Sequence, residues 1–91
     1  MIYKNIDSIR NLNFPVLIIG SGPAGISVAL KLEEKKIKCL IIEAGDEEYN
    51  EQSQSFYRSK VIGDEITDLQ YSRVRQFGGT SNQWGGWSKP M

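Results

Sequence analysis

Histidine is missing from all 91 residues of this sequence. No imidazole of the chain can therefore hold a metal, act as a general base or tether a cofactor covalently, and no metal site is expected. Cysteine is nearly missing. Cys39 stands alone, which excludes an intrachain disulfide and fits a reducing compartment. Set between Lys38 and the run Leu40-Ile41-Ile42, it reads as a buried strand thiol packing as a small hydrophobe. Net charge is missing too: Lys plus Arg number 11 and Asp plus Glu number 11. No overall field draws such a chain to nucleic acid or to anionic lipid. No stretch approaches the roughly 20 apolar residues that cross a bilayer. The opening Met1-Ile2-Tyr3-Lys4-Asn5-Ile6-Asp7 lacks the apolar segment of a signal peptide. A cytoplasmic protein is the expectation, one small domain or a piece of a larger one, since chains this short bury only about 60–65% of their unfolded surface.

What the sequence does contain is an apolar run that breaks into spaced glycines: Val16-Leu17-Ile18-Ile19-Gly20-Ser21-Gly22-Pro23-Ala24-Gly25. Residues 1–14 are a mixed lead-in, in which Ile6, Ile9 and Leu12 would share one face of a short helix. Asn11, Asn13 and Pro15 end it. Val16 to Ile19, apolar without alternation, predicts a parallel-sheet strand covered on both faces. Ala24 to Lys36 has helical periodicity, with Ile26, Val28, Ala29, Leu30 and Leu32 on one broad arc and Ser27, Lys31, Glu34 and Lys35 opposite. Pro23 suits the first turn, where its missing N–H would have no intrahelical partner. Ile37 to Ile42 reads as a second strand closed by Glu43, and Ala44-Gly45-Asp46 turns the chain out. Strand, helix and strand within about 30 residues make a parallel βαβ unit.

Spaced glycines alone are a weak signal, but this context gives each one a task. Gly20 makes the tight turn, Gly22 lets backbone approach a pyrophosphate, and Gly25 lets helix and strand pack closely. The helix start then offers free N–H groups and a positive dipole end to the phosphates. Glu43, 18 residues after Gly25, can accept from the ribose hydroxyls of an adenosine. A 2′-phosphate would be repelled there, and Ala44-Gly45-Asp46 brings no arginine to neutralise it. NADP is disfavoured, while NAD and FAD both remain.

From Asp46 to Gln70 the chain turns polar and irregular, with one short helix expected around Glu51 to Arg58. So long a connection is uncommon in a compact domain unless it is functional. Residues 71–91 are dense again: Gly78, Gly79, Gly85 and Gly86 are interleaved with Trp84 and Trp87, after Arg73, Arg75 and Phe77. Backbone rich in glycine passes close to something flat or highly charged. The ending Lys89-Pro90-Met91 closes no element and reads as a truncation.

The block Arg73-Val74-Arg75-Gln76-Phe77-Gly78-Gly79-Thr80-Ser81-Asn82-Gln83-Trp84-Gly85-Gly86, taken with Gly20 to Gly25 and Ile41-Ile42-Glu43-Ala44-Gly45, resembles the amino-terminal part of the FAD-dependent glucose–methanol–choline (GMC) oxidoreductases and their pyranose-oxidase-like relatives. The resemblance covers roughly residues 15–87 and selects FAD over NAD. It implies an α/β fold: a Rossmann-like βαβ FAD-binding unit, an incomplete parallel sheet with a long irregular carboxyl-terminal excursion. Residues 15–91 would be a partial FAD-binding domain, cut before the substrate domain. Carried across, Gly20, Gly22, Pro23, Ala24 and Gly25 meet the pyrophosphate, and Glu43 with Ala44 meets the adenosine. Gly78, Gly79, Thr80, Ser81 and Asn82 line the stretch from phosphate to flavin, with Arg75 balancing pyrophosphate charge. Trp84 and Trp87 pack near the flavin or in the core.

In some relatives a histidine tethered to the flavin precedes the Trp of this block. Gln83 stands there, which implies non-covalent FAD. The family's late catalytic histidine and its substrate domain have no counterpart, so no catalytic residue is expected here. Such an enzyme oxidises an alcohol or sugar CH–OH group by hydride transfer to flavin. The alternatives are a non-catalytic dinucleotide-binding module that works with a partner chain, and a single-strand nucleic-acid platform of Arg73, Arg75, Phe77, Trp84 and Trp87, which the zero net charge opposes.

Overall fold

A computed structural model describes residues 1–83 and Gly85. The lead-in forms a 3₁₀ turn, Ile6–Ile9, capped by the Asn5 side chain, which accepts from the Ser8 N–H. Strand β1 follows at Val16–Ile19, then helix α1 at Pro23–Glu34 and strand β2 at Cys39–Ile42. β1 and β2 pair in parallel, Val16 opposite Cys39 through Ile19 opposite Ile42. This is a small α/β arrangement with a two-stranded parallel sheet, consistent with a Rossmann-like start.

The expected boundaries move by one or two residues, for local reasons. α1 opens on Pro23, a first-turn position that needs no N–H. It ends at Glu34 because Lys36 turns left-handed, with φ 57°. The Lys36 N–H then donates to the Glu33 carbonyl and Ile37 N–H to that of Leu32, the paired bonds of a Schellman cap. Ile37 and Lys38 are spent on that exit, so β2 starts at Cys39.

One expectation fails on the sheet. β1 is covered on one face only: Val16 and Ile18 are half-buried, while Leu17 and Ile19 are 55% and 84% exposed. α1 lies on the first face through Ile26, Ala29 and Leu32, and Val28 and Leu30 stay exposed. Two strands about 4.8 Å apart are too narrow for a helix about 10 Å across to bury its whole apolar arc. Cys39 is likewise half-exposed rather than buried, because β2 is an edge strand. It lines an apolar groove of about 580 Å³ with Met1, Phe14, Ile26, Ala29, Leu30 and Ile41 among its walls.

The polar excursion folds around hydrogen bonds rather than apolar contacts. Helix α2, Glu51–Gln54, runs into a 3₁₀ turn at Ser55–Tyr57, where a short helix was expected. Its start is capped by the Asn50 side chain, which accepts from Ser53 N–H at 3.0 Å. A further short helix, α3 at Leu69–Ser72, is capped by Asp68 and was not anticipated. Gln54, 8% exposed, ties the two together. Its amide donates to the Gln70 and Arg73 carbonyls at 2.9 and 2.6 Å, and its oxygen accepts from Arg75 N–H at 3.0 Å. Val74 is the one buried hydrophobic side chain among the described residues. Beyond it the chain pairs beside the β2 exit, Asp46 bridging Gln76 in parallel, with Phe77 N–H donating to Asp46 carbonyl at 2.8 Å.

Candidate functional site

The site gathers at the carboxyl ends of β1 and β2. Gly20 continues the ladder, its N–H donating to Ile42 carbonyl at 2.8 Å, and then turns at φ 95°. A side chain at Gly25 would collide with the Gly20 carbonyl, so α1 can sit this close to β1 only with glycine there. Gly22 is the N-cap of α1, with no side-chain bond across it and no acidic residue in the first turn. The first-turn N–H groups of Ala24 and Gly25 lie ahead of the first helical bond, Ile26 N–H to Gly22 carbonyl, and a Cβ at Gly22 would meet nothing within 4 Å. Open space therefore faces unpaired donors and the positive end of a 12-residue helix. An anionic phosphate chain fits that cradle.

Register carries the argument to Glu43. With Ile19 opposite Ile42, the next residues of the two strands leave the sheet side by side. The Glu43 carboxylate accepts from Ser21 N–H at 2.9 Å and Ser21 hydroxyl at 2.5 Å on one oxygen, and from Gly45 N–H at 2.8 Å on the other. Burial pushes its pKa up. Bonds from the Ser21 hydroxyl and from the N–H groups of Gly45 and Ser21, with the Ala44 N–H close by, outweigh that and hold it below the usual carboxylate value. Three of a carboxylate's roughly four acceptor positions are filled from within the chain. Room remains for one ligand hydroxyl rather than for two.

Beside Glu43 lies a cleft of about 610 Å³ with Tyr3, Lys4, Ala44, Gly45, Asp46 and Tyr49 among its walls. Lys4 reaches Glu47 at 3.1 Å, so the wall's cation is already paired and the surroundings stay acidic. The lining is mainly polar and acidic, which suits an uncharged hydroxyl-bearing group such as a ribose. It does not suit a 2′-phosphate.

The second glycine block folds onto the first. Gly78 and Gly79 both have positive φ, 86° and 64°. Gly78 N–H donates to the Ser21 hydroxyl at 2.9 Å. A Cβ on Gly79 would stand 3.4 Å from the Gly22 Cα. The loop's own polar side chains brace it from within. Thr80 hydroxyl accepts from Val74 N–H, Ser81 hydroxyl donates to Gly78 carbonyl, and the Asn82 amide donates to the carbonyls of Phe77 and Gly79. Arg75 is turned to α2, where its guanidinium donates to the Ser53 hydroxyl at 2.7 Å and lies 4.7 Å from the Phe56 ring centroid. Trp84, Gly86 and Trp87 lie outside the described residues.

A family model described as an FAD binding domain matches residues 13–69, more than half of the chain. The chain belongs to the FAD binding domain family. FAD is its cofactor. The matched span holds the whole first cradle, Gly20 to Ala44, and ends before Gly78. This family is a different one from the GMC oxidoreductases, so the match carries the cofactor and not the alcohol or sugar chemistry. No curated protein and no solved structure matches the chain.

Two residues central to the site carry no motif signal. Ser21, fully buried, joins three segments, and Gln54 holds the carboxyl-terminal loop in place. For Ser21 the signal lies in the register, which sets Ile19 opposite Ile42 and so brings the Gly20-Ser21 turn beside Glu43.

Proposed function

We propose that this chain is the FAD-binding amino-terminal portion of a flavin oxidoreductase of the GMC type, acting on an alcohol or sugar CH–OH group. The supporting observation is the apposition of two glycine turns, Gly79 against Gly22, which makes one continuous backbone surface. On this reading Gly20, Gly22, Pro23, Ala24 and Gly25 hold the pyrophosphate, and Glu43 and Ala44 meet the adenosine ribose through the remaining acceptor of the carboxylate. Gly78, Gly79, Thr80, Ser81 and Asn82 extend the surface toward the flavin, with the Thr80, Ser81 and Asn82 side chains bracing the loop. Arg75 contributes by fixing the loop to α2. When bound, FAD supplies the hydride acceptor. The residues of this chain bind and orient it without moving a proton, and Gln83 leaves the flavin dissociable.

The alternative, a non-catalytic FAD module that works with a partner chain, uses the same cradle. Anaerobic mixing of the FAD-loaded product of the whole reading frame with a panel of primary alcohols and aldopyranoses separates the two. Bleaching of the oxidised flavin absorbance by a CH–OH donor supports the oxidoreductase reading; a flavin left oxidised by every donor supports the module. Acid precipitation that leaves the supernatant yellow supports dissociable FAD.

A further inference from the structure

The hydroxyl of Ser21 stands between the two halves of the cradle. It is fully buried, donates to the Glu43 carboxylate and accepts from the Gly78 N–H at 2.9 Å. Those three residues come from the turn after β1, the end of β2 and the second glycine block, with Ser21 and Gly78 57 positions apart. We propose that Ser21 is a positioning residue: its hydroxyl locks the Gly78-Gly79 turn onto Gly22 and so makes binding of the pyrophosphate–flavin part of FAD depend on the seat of Glu43. The inference rests on the FAD reading above.

Directionality supports it. A hydroxyl has one proton and two lone pairs. The Glu43 carboxylate, which can only accept, takes that proton and leaves the lone pairs facing Gly78. The Gly78 amide can only donate, so the chain of bonds runs one way, from amide to hydroxyl to carboxylate. Gly78, at φ 86°, and Gly79, at φ 64°, hold backbone shapes that side chains rarely adopt. A turn of that kind is flexible unless something outside it fixes it. Inside the loop it is held by the Gly79 N–H to Gln76 carbonyl bond and by Ser81 and Asn82, and none of these ties it to the first cradle. Ser21 does.

The arrangement also separates the hydroxyl from the main chain. Glu43 keeps bonds from Ser21 N–H and Gly45 N–H when the hydroxyl is removed. The adenosine end should therefore survive Ser21→Ala, and the far end should not.

The test compares AMP, which reaches the adenosine end and the first phosphate but not the second glycine block, with FAD, which spans both, by calorimetry on the full chain and its S21A variant. The expected result is AMP affinity within about twofold of wild type and FAD affinity lower by about tenfold, the loss of one well-made bond. Equal loss for both ligands, or none for either, overturns the proposal. A wild-type chain that binds AMP no less tightly than FAD overturns the underlying FAD reading and this inference with it. Should S21A fail to fold, amide exchange on the wild-type chain decides: a protected Gly78 N–H supports the link, and exchange at the rate of a free peptide overturns it.

Discussion

Glu43 and Ser21, 22 residues apart, share two hydrogen bonds, from the serine N–H at 2.9 Å and from its hydroxyl at 2.5 Å. The acid of the proposed cofactor site is thus also the staple that closes the ends of both strands. Its folded pKa lies below the ordinary carboxyl value of 4.5. A depressed carboxyl stabilises the fold fully above that ordinary value and loses its contribution as pH falls through the folded value. Glu43→Gln is expected to cost about 1 kcal/mol at pH 7, an amount reduced by partial solvent exposure. Urea denaturation of both chains from neutral to acid pH should show that gap closing below the ordinary value.

Gly25 and Gly22 are expected to fail in different ways. An alanine at Gly25 meets the Gly20 carbonyl, so Gly25→Ala should cost about 2–3 kcal/mol of stability. An alanine at Gly22 meets nothing within 4 Å, and the backbone there, φ −66° and ψ 176°, suits any residue. Gly22→Ala should leave stability within about 0.5 kcal/mol and lower FAD affinity about tenfold, its methyl standing where the pyrophosphate approaches. Denaturation and titration on the same two variants check both halves.

Much of this was legible because it is local. The strand Val16–Ile19, the helix after it and Glu43 at the close of β2 follow from apolar runs, periodicity and glycine spacing. The one-sided sheet was not legible, because an apolar strand reads the same whether or not anything covers Leu17 and Ile19. The polar excursion hid its order for another reason. Gln54 and Ser21 act over 19 and 57 positions through hydrogen bonds, which leave no periodic trace. α3 had a signal in its cap Asp68, but four residues are too short for periodicity to show. Arg75 was expected at the pyrophosphate, and the side chain instead found Phe56 and Ser53.

Lys36 offers a gain. Its φ of 57° places a side chain in the left-handed region at the Schellman cap of α1, a position that favours glycine. Lys36→Gly is expected to stabilise the chain by about 1 kcal/mol, read as a higher urea midpoint with an unchanged slope.

Gln54 is expected to be costly to lose. Gln54→Ala strands the Gln70 and Arg73 carbonyls and the Arg75 N–H, and should destabilise by about 2–3 kcal/mol. The release is local, so limited trypsin digestion should speed up at Arg58, Lys60 and Arg73. Unchanged digestion would mean that the excursion is held by something else.

The central claim, that the Gly20–Gly25 cradle and the Glu43 cleft hold the ADP half of FAD, is tested most directly by titrating the full chain with FAD, NAD and NADP, then displacing bound FAD with ADP. The account predicts saturable quenching of flavin fluorescence, competition by ADP, and no binding of NADP. Flavin fluorescence that stays unchanged across the titration, or FAD binding that ADP leaves undisturbed, would contradict it.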